Sequence, residues 1–319
     1  MTSDIQIGKY RVKPSAVKWK SSVLNIIETC TISLPRATYM KNSLNTTEDN
    51  SVRNDVVFVE GDKVSVSLGY DGNNTLRFIG FVKRINQAER LELECEGYNY
   101  QLPKIFNKSY STTTVKDILK DLIQDTEIKI DGQTVDVKVT NVRFKNASGL
   151  QVLEWMNKEL HLAVYFDLDS ICVGTLYGRT KGTKTIRLGW NTVDNKDFKK
   201  RKTDDNVLIQ LVSKDSEGTT KRTKSDERRY SNTKEVKIKS GLDSEIMKQI
   251  ANDLQGRENY RGYEGSVVCF LIPEIQKSEV VNVQSPRFQE KAGRYFVEAV
   301  EGSFDSNGGR QKITLNFEL

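Results

Sequence analysis

Between Glu60 and Tyr100 the chain alternates so regularly that it can fold into little except antiparallel sheet. In Lys63–Leu68, Val64, Val66 and Leu68 alternate with Lys63, Ser65 and Ser67. In Arg90–Glu96, Leu91, Leu93 and Cys95 alternate with three glutamates, Glu92, Glu94 and Glu96. Successive side chains of a strand point to opposite faces, so each run has one core face and one wet face. Between them lie Phe78–Ile85 and the dipeptide Asp71-Gly72, whose tolerance of positive φ suits a tight hairpin. The pattern predicts a three-stranded meander.

A fainter copy closes the chain. Glu279–Gln284, Arg294–Val300 and Gln311–Leu319 could match the three strands in order, with a turn at Ser306–Gly309. An internal duplication would give this, and so would any two unrelated meanders. The predicted fold is α+β and mainly β: two similar β-barrel-like modules flanking a small α+β domain. The expected boundaries are 1–104 for the first module, 105–195 for the middle domain and 196–319 for the second module with one helix.

In the first module Ile5–Ile7, Val17–Trp19 and Thr29–Leu34 read as strands, the last stopped by Pro35, which has no N–H for a ladder. Lys41–Asn54 reads as a polar loop, and Pro103 marks the boundary. Val115, Ile118, Leu119 and Leu122 then fall at helical spacing behind a Thr114/Asp117 cap, and Leu153, Met156 and Leu160 do so behind Ser148/Gln151. Short strands are expected at 135–139, 162–166, 170–173 and 185–188. Val207 to Tyr230 reads as a long hairpin projecting from the second module, with a turn near Glu217-Gly218. A third helix is expected over Ser240–Leu254.

The 319 residues carry 49 Lys+Arg against 43 Asp+Glu, a mild excess of basic charge that suits a polar surface as well as a nucleic-acid binder. The basic clusters Lys199–Lys202 and Lys221–Arg229 are interleaved with Asp204, Asp205, Asp226 and Glu227, and only Tyr230 is at hand to stack on a base. No sequence-specific nucleic-acid binding is expected. No signal peptide is expected, and no apolar run is long enough to cross a bilayer. Cys30, Cys95, Cys172 and Cys269 lie far apart without a C-x-x-C pair, which argues for buried free thiols and against zinc.

No catalytic constellation stands out in the sequence. His161, the single histidine, sits between two leucines where a structural role is expected, and every Ser-His or Cys-His mechanism would have to share it. Asp167 and Asp169 read as a hairpin turn, since no calcium-loop glycine and glutamate follow them. Glycines 178, 182 and 189 make no nucleotide fingerprint, and no P-loop is present. No catalytic residue, metal ligand or cofactor is expected, and the chain is read as a non-enzyme.

The order of elements carries a resemblance. Glu28–Pro35, Gly61–Gly72, Phe78–Val82, Ser111–Leu119, Leu153–Met156 leading to Val164–Phe166, and Tyr295–Val300 with its glycine turn follow one another as in the baseplate hub family of contractile phage tails. That family includes late-control-type tail proteins and the hub portion of type VI secretion spikes. The resemblance implies a homotrimeric, pseudo-sixfold adaptor between a hexameric tail tube and a trimeric spike carried on a separate chain. Tape-measure and baseplate wedge proteins are further partners it implies, in a virion tail or injection particle assembled in the bacterial cytoplasm. The alternative is a carbohydrate-binding or adhesion module, for which Trp190 beside Gly189 is the one reasonable stacking residue among Trp19, Trp155 and Trp190.

Overall fold

The computed structural model describes residues 1–35, 37–39, 51–53, 57–87, 90–202, 206–214, 220–225, 230, 232–238 and 244–319. The chain is mainly β, with a small α+β unit between two β-modules. Both meanders are present. Lys63–Tyr70, Asn73–Gln87 and Leu91–Glu96 pair antiparallel in sequence order, and so do Val280–Gln284, Gly293–Asp305 and Gly308–Glu318. Their tight turns differ in place. Asp71 (φ 52°) and Gly72 (φ 84°) close the first hairpin of the first meander, the two positive φ values that a two-residue turn of this hand demands. In the second meander the tight turn joins the last two strands, at Ser306-Asn307.

The two modules are not separate closed barrels. They share one fourteen-stranded sheet, whose main path runs open from Thr192–Asp194 at one end to Tyr10–Val12 at the other. The seam is a main-chain pairing between Ala16–Ser22 and the second half of Gly293–Asp305, with Trp19 opposite Gly302 and Val17 opposite Phe304. Glycine is required there: a Cβ at Gly302 would lie 1.9 Å from the Trp19 ring. The seam is also apolar. Leu271 and Phe304 of the second module are buried in the first module's core with Ile5, Ile32, Val66 and Leu93.

A different cluster holds the middle unit. The helices Val115–Ile123 and Gly149–Leu160 begin at the expected caps, and Ser148 and Gln151 form a reciprocal capping box (Gln151 N–H to Ser148 Oγ 3.2 Å, Ser148 N–H to Gln151 Oε1 2.8 Å). The expected strand at 135–139 is instead Lys138–Ala147, paired with Phe106–Thr114. The third helix is described over Ser244–Asn259 and runs beyond its expected end at Leu254, while the expected first residues, 240–243, lie outside the described residues.

Val207–Lys214 and Thr220–Lys224 do pair as a hairpin, but not a projecting one. Asn232–Ile238 adds a parallel strand. Ile209, Leu211 and Ile238 pack with Met247 and Ile250 in the same cluster as Leu119, Leu153 and Phe166, so this part of 196–319 joins the middle unit. The strand Val207–Lys214 alternates as its sequence predicts, but it is buried on both faces, and periodicity alone does not say what covers the second. Of the expected loop at 41–54, residues 51–53 form a strand with 37–39 and the rest lie outside the described residues, as does the turn expected at 217–218.

Candidate assembly interface

The strands of the shared sheet have two kinds of end. At one, which we call the base, the middle unit rests on the sheet: Phe81 and Tyr98 of the first module join its cluster, and Tyr177 stacks on Phe317 and meets Phe296 edge-on in the second. All three units meet at Lys277. Its ammonium pairs with Glu28 of the first module, the two side chains being 4% and 9% exposed, and lies 5.3 Å over the ring of Tyr165 in the middle unit.

Around this pair the polar groups answer one another. Ser278 Oγ donates to the Arg179 carbonyl (2.8 Å). Arg179 bridges Asp131 (2.9 Å) and Asp167 (3.3 Å), and Lys181 pairs with Asp167 and donates to Gln276 (3.2 Å). Burial works against the Arg179 charge, but the hydrogen bond to Tyr165 and the nearby Cys172 and Asp131 outweigh it and raise its pKa.

The other end, the tip, lies about a strand's length from the base. Lys63, which bridges to Glu127 of the middle unit at 2.8 Å, begins the strand that ends at Tyr70. The two hairpin turns come together here, Tyr70 Oη donating to the Gly309 carbonyl (3.3 Å). Beside them opens a groove lined by Met1, Tyr70, Phe270, Ile272 and Arg310. Three apolar side chains in it face solvent: Ile272 (55% exposed), Met1 (48%) and Phe270 (37%). The Arg310 guanidinium lies 4.7 Å over the Phe270 ring.

Residues singled out in the sequence take structural places. His161 is the left-handed cap (φ 54°) of Gly149–Leu160. Asp167 and Asp169 flank a turn at Leu168. Burial works against the Asp169 charge, but the hydrogen bond from Lys129 (2.6 Å) prevails and lowers its pKa. Trp19 is core, and Trp155 is half-buried edge-on against Phe144. Trp190 is 79% exposed beside Arg187.

All four cysteines are buried free thiols; burial pushes Cys95, Cys172 and Cys269 up to about 12. Cys30 and Cys95 are cross-strand neighbours, a proximity their spacing in sequence conceals. Lys199 and Lys200 form a short edge strand, while Arg201 turns back onto Glu264 (3.4 Å) and the Arg257 carbonyl (2.9 Å). Arg228 and Arg229 lie outside the described residues. Glu28, Lys277, Ile272 and Arg310 are not among the residues the sequence singles out. For the buried pair no sequence signal exists, since nothing in either neighbourhood announces a buried charge. Phe270 and Ile272, aromatic and aliphatic residues just before Pro273, could have been noticed.

No protein-family profile matches the chain, and no curated protein matches it. Solved structures do. A tail protein from Neisseria meningitidis MC58 aligns over 98% of this chain and 95% of its own, at 10% identity and a TM-score of 0.66. The 43 kDa tail protein of prophage MuSo2 from Shewanella oneidensis aligns over 98% of both chains, at 12% identity and a TM-score of 0.62. The fold is that of phage tail proteins. An Escherichia coli component of the type VI secretion system, described as similar to the T4 bacteriophage tail proteins gp27 and gp5, shares this tail-protein fold. It aligns over 100% of this chain and 77% of its own, at 11% identity and a TM-score of 0.57.

Proposed function

We propose that the chain is a structural, non-enzymatic hub of a contractile tail or related injection system: a homotrimer that joins a hexameric tube to a trimeric spike. The observation that carries the reading is the distribution of units along the sheet. At the tip end each chain presents two β-modules side by side, and at the base end it carries one middle unit. Three copies would therefore offer six module ends on one side and three middle units on the other, which suits an adaptor between sixfold and threefold neighbours.

The sheet's remaining ends support the same reading. An open sheet exposes unpaired strand edges that a soluble protein must cover or pair. Thr192–Asp194 at one end carries exposed Val193 (51%), and at the other Tyr10 meets Phe58 edge-on, next in sequence to exposed Val59 (58%). Head-to-tail contact between these unlike ends would close a ring in the manner of the seam already made within each chain. The polar strand face bearing Lys18, Lys20, Thr29, Thr31 and Glu301 would then be available to a central channel.

The partners are a tail tube protein and a separate spike, with tape-measure and wedge proteins beyond them. The working place is a virion tail or injection particle assembled in the bacterial cytoplasm. Mass photometry of the chain mixed with its tube and spike subunits tests the reading: a complex holding three copies is expected, and one holding two or six would refute it. The exposure of Trp190 favours a second reading, carbohydrate binding, for which a glycan-array signal abolished in Trp190→Ala is the expected result.

A further inference from the structure

We infer that the cleft between the middle unit's small sheet and the helix Ser244–Asn259 binds a small hydroxylated primary amine, its ammonium held by Asp253 and its hydroxyls by side-chain amides at the mouth. The inference goes beyond the hub reading and does not depend on it.

The cleft has a volume of about 360 Å³, in the range of small-molecule sites. One wall carries Asp131, Tyr165, Cys172 and Arg179, and the helix brings Gln249, Asn252 and Asp253. The charges of the first wall answer one another. Arg179 Nη1 donates to Tyr165 Oη (3.4 Å) and Cys172 Sγ (2.8 Å), and Nη2 to Asp131 (2.9 Å) and Asp167 (3.3 Å). The other oxygen of Asp131 accepts from the Gln133 N–H (3.0 Å).

Asp253 has no such partner. It is half-buried and accepts only backbone N–H groups, those of Tyr177 (3.5 Å) and Leu176. None of the ion pairs among the described residues includes it. Burial raises its pKa, against the pull of those N–H groups and of Arg257 one turn further along the helix. A carboxylate withdrawn from water without a counter-charge is costly to keep ionised, and an ammonium entering the cleft supplies that charge.

The mouth defines the rest of the ligand. Gln133, Gln249 and Asn252 are exposed there, and among the described residues none of their side-chain amides is hydrogen-bonded. Each amide offers donors and an acceptor, as a hydroxyl does in return. The two aromatic rings that reach the cleft are engaged elsewhere, Tyr177 against Phe296 and Phe317 and Tyr165 beneath the Lys277 ammonium. Recognition therefore runs through charge and hydrogen bonds, without a stacking platform.

Isothermal titration of the full chain at neutral pH and low salt tests this, with D-glucosamine and ethanolamine as probes. D-glucose and ethylene glycol are their neutral counterparts. Saturable one-to-one binding of at least one amine is expected, with its neutral counterpart weaker by about tenfold or more. Asp253→Asn removes the counter-charge, and Asn252→Lys sets a competing cation at the mouth; each should weaken binding by about tenfold or more. If Asp253→Asn fails to fold, Asn252→Lys, an exposed position, decides alone. No binding of either amine, equal binding of an amine and its neutral counterpart, or undiminished binding in the folded variants would each overturn the inference and leave the hub reading standing.

Discussion

The base and the tip of the same sheet distribute their side chains in opposite ways. At the base, charges are buried: Lys277 and Glu28 meet out of solvent, ringed by Tyr165, Ser278, Arg179 and Asp167. At the tip, apolar groups are exposed, with Ile272, Met1 and Phe270 turned outward around Arg310. A buried ion pair repays its desolvation only when geometry and neighbouring hydrogen bonds are good, and it fixes an arrangement more than it strengthens one. An exposed apolar groove leaves a hydrophobic gain for a partner to realise. The base is thus a finished joint within one chain, whereas the tip leaves apolar surface in water.

That contrast can be broken at graded cost. Lys277→Met should be the most damaging single change, because Glu28 is left charged and unpaired in the interior; about 3–5 kcal/mol of stability is expected to be lost, read as a lower urea midpoint. Adding Glu28→Leu should recover most of it, and a double variant no better than the single would mean that the pair is not an isolated buried couple. Leu271→Ala, which hollows the first module's core from the second, should cost about 2–5 kcal/mol in the same assay. Gly302→Ala forces the Trp19 ring aside and should cost about 1–3 kcal/mol, with a change in near-ultraviolet dichroism. Ile272→Ser, at the tip, should move stability by less than about 0.5 kcal/mol; a larger loss would show that the tip is as finished as the base.

The meanders were legible because alternation is a local property: Val64, Val66, Leu91 and Leu93 report their faces within a few residues. Helix caps were legible for the same reason, and Ser148 and Gln151 pair as their spacing requires. The strand Phe106–Thr114 was not, since a run of Asn, Lys, Ser and Thr has no apolar face to announce it, and its identity comes from pairing with Lys138–Ala147. The seam was the least legible feature. Nothing near Trp19 or Gly302 says that they are partners, because register between remote strands is decided by shape and by which edges remain unpaired. The candidate site inherits that blindness: Glu28 and Lys277 are 249 positions apart.

The seam also sets an order of events in synthesis. Ala16–Ser22 leaves the ribosome well before Gly293–Asp305, the strand that completes its edge. At ordinary rates of translation the interval is on the order of tens of seconds. For most of it, the nascent first module lacks Leu271 and Phe304 from its interior and presents one bare strand to solvent. The strands Gly293–Asp305 and Gly308–Glu318 therefore act as a closing clasp, and a chain released before them would carry an exposed β-edge ready to pair with whatever it meets.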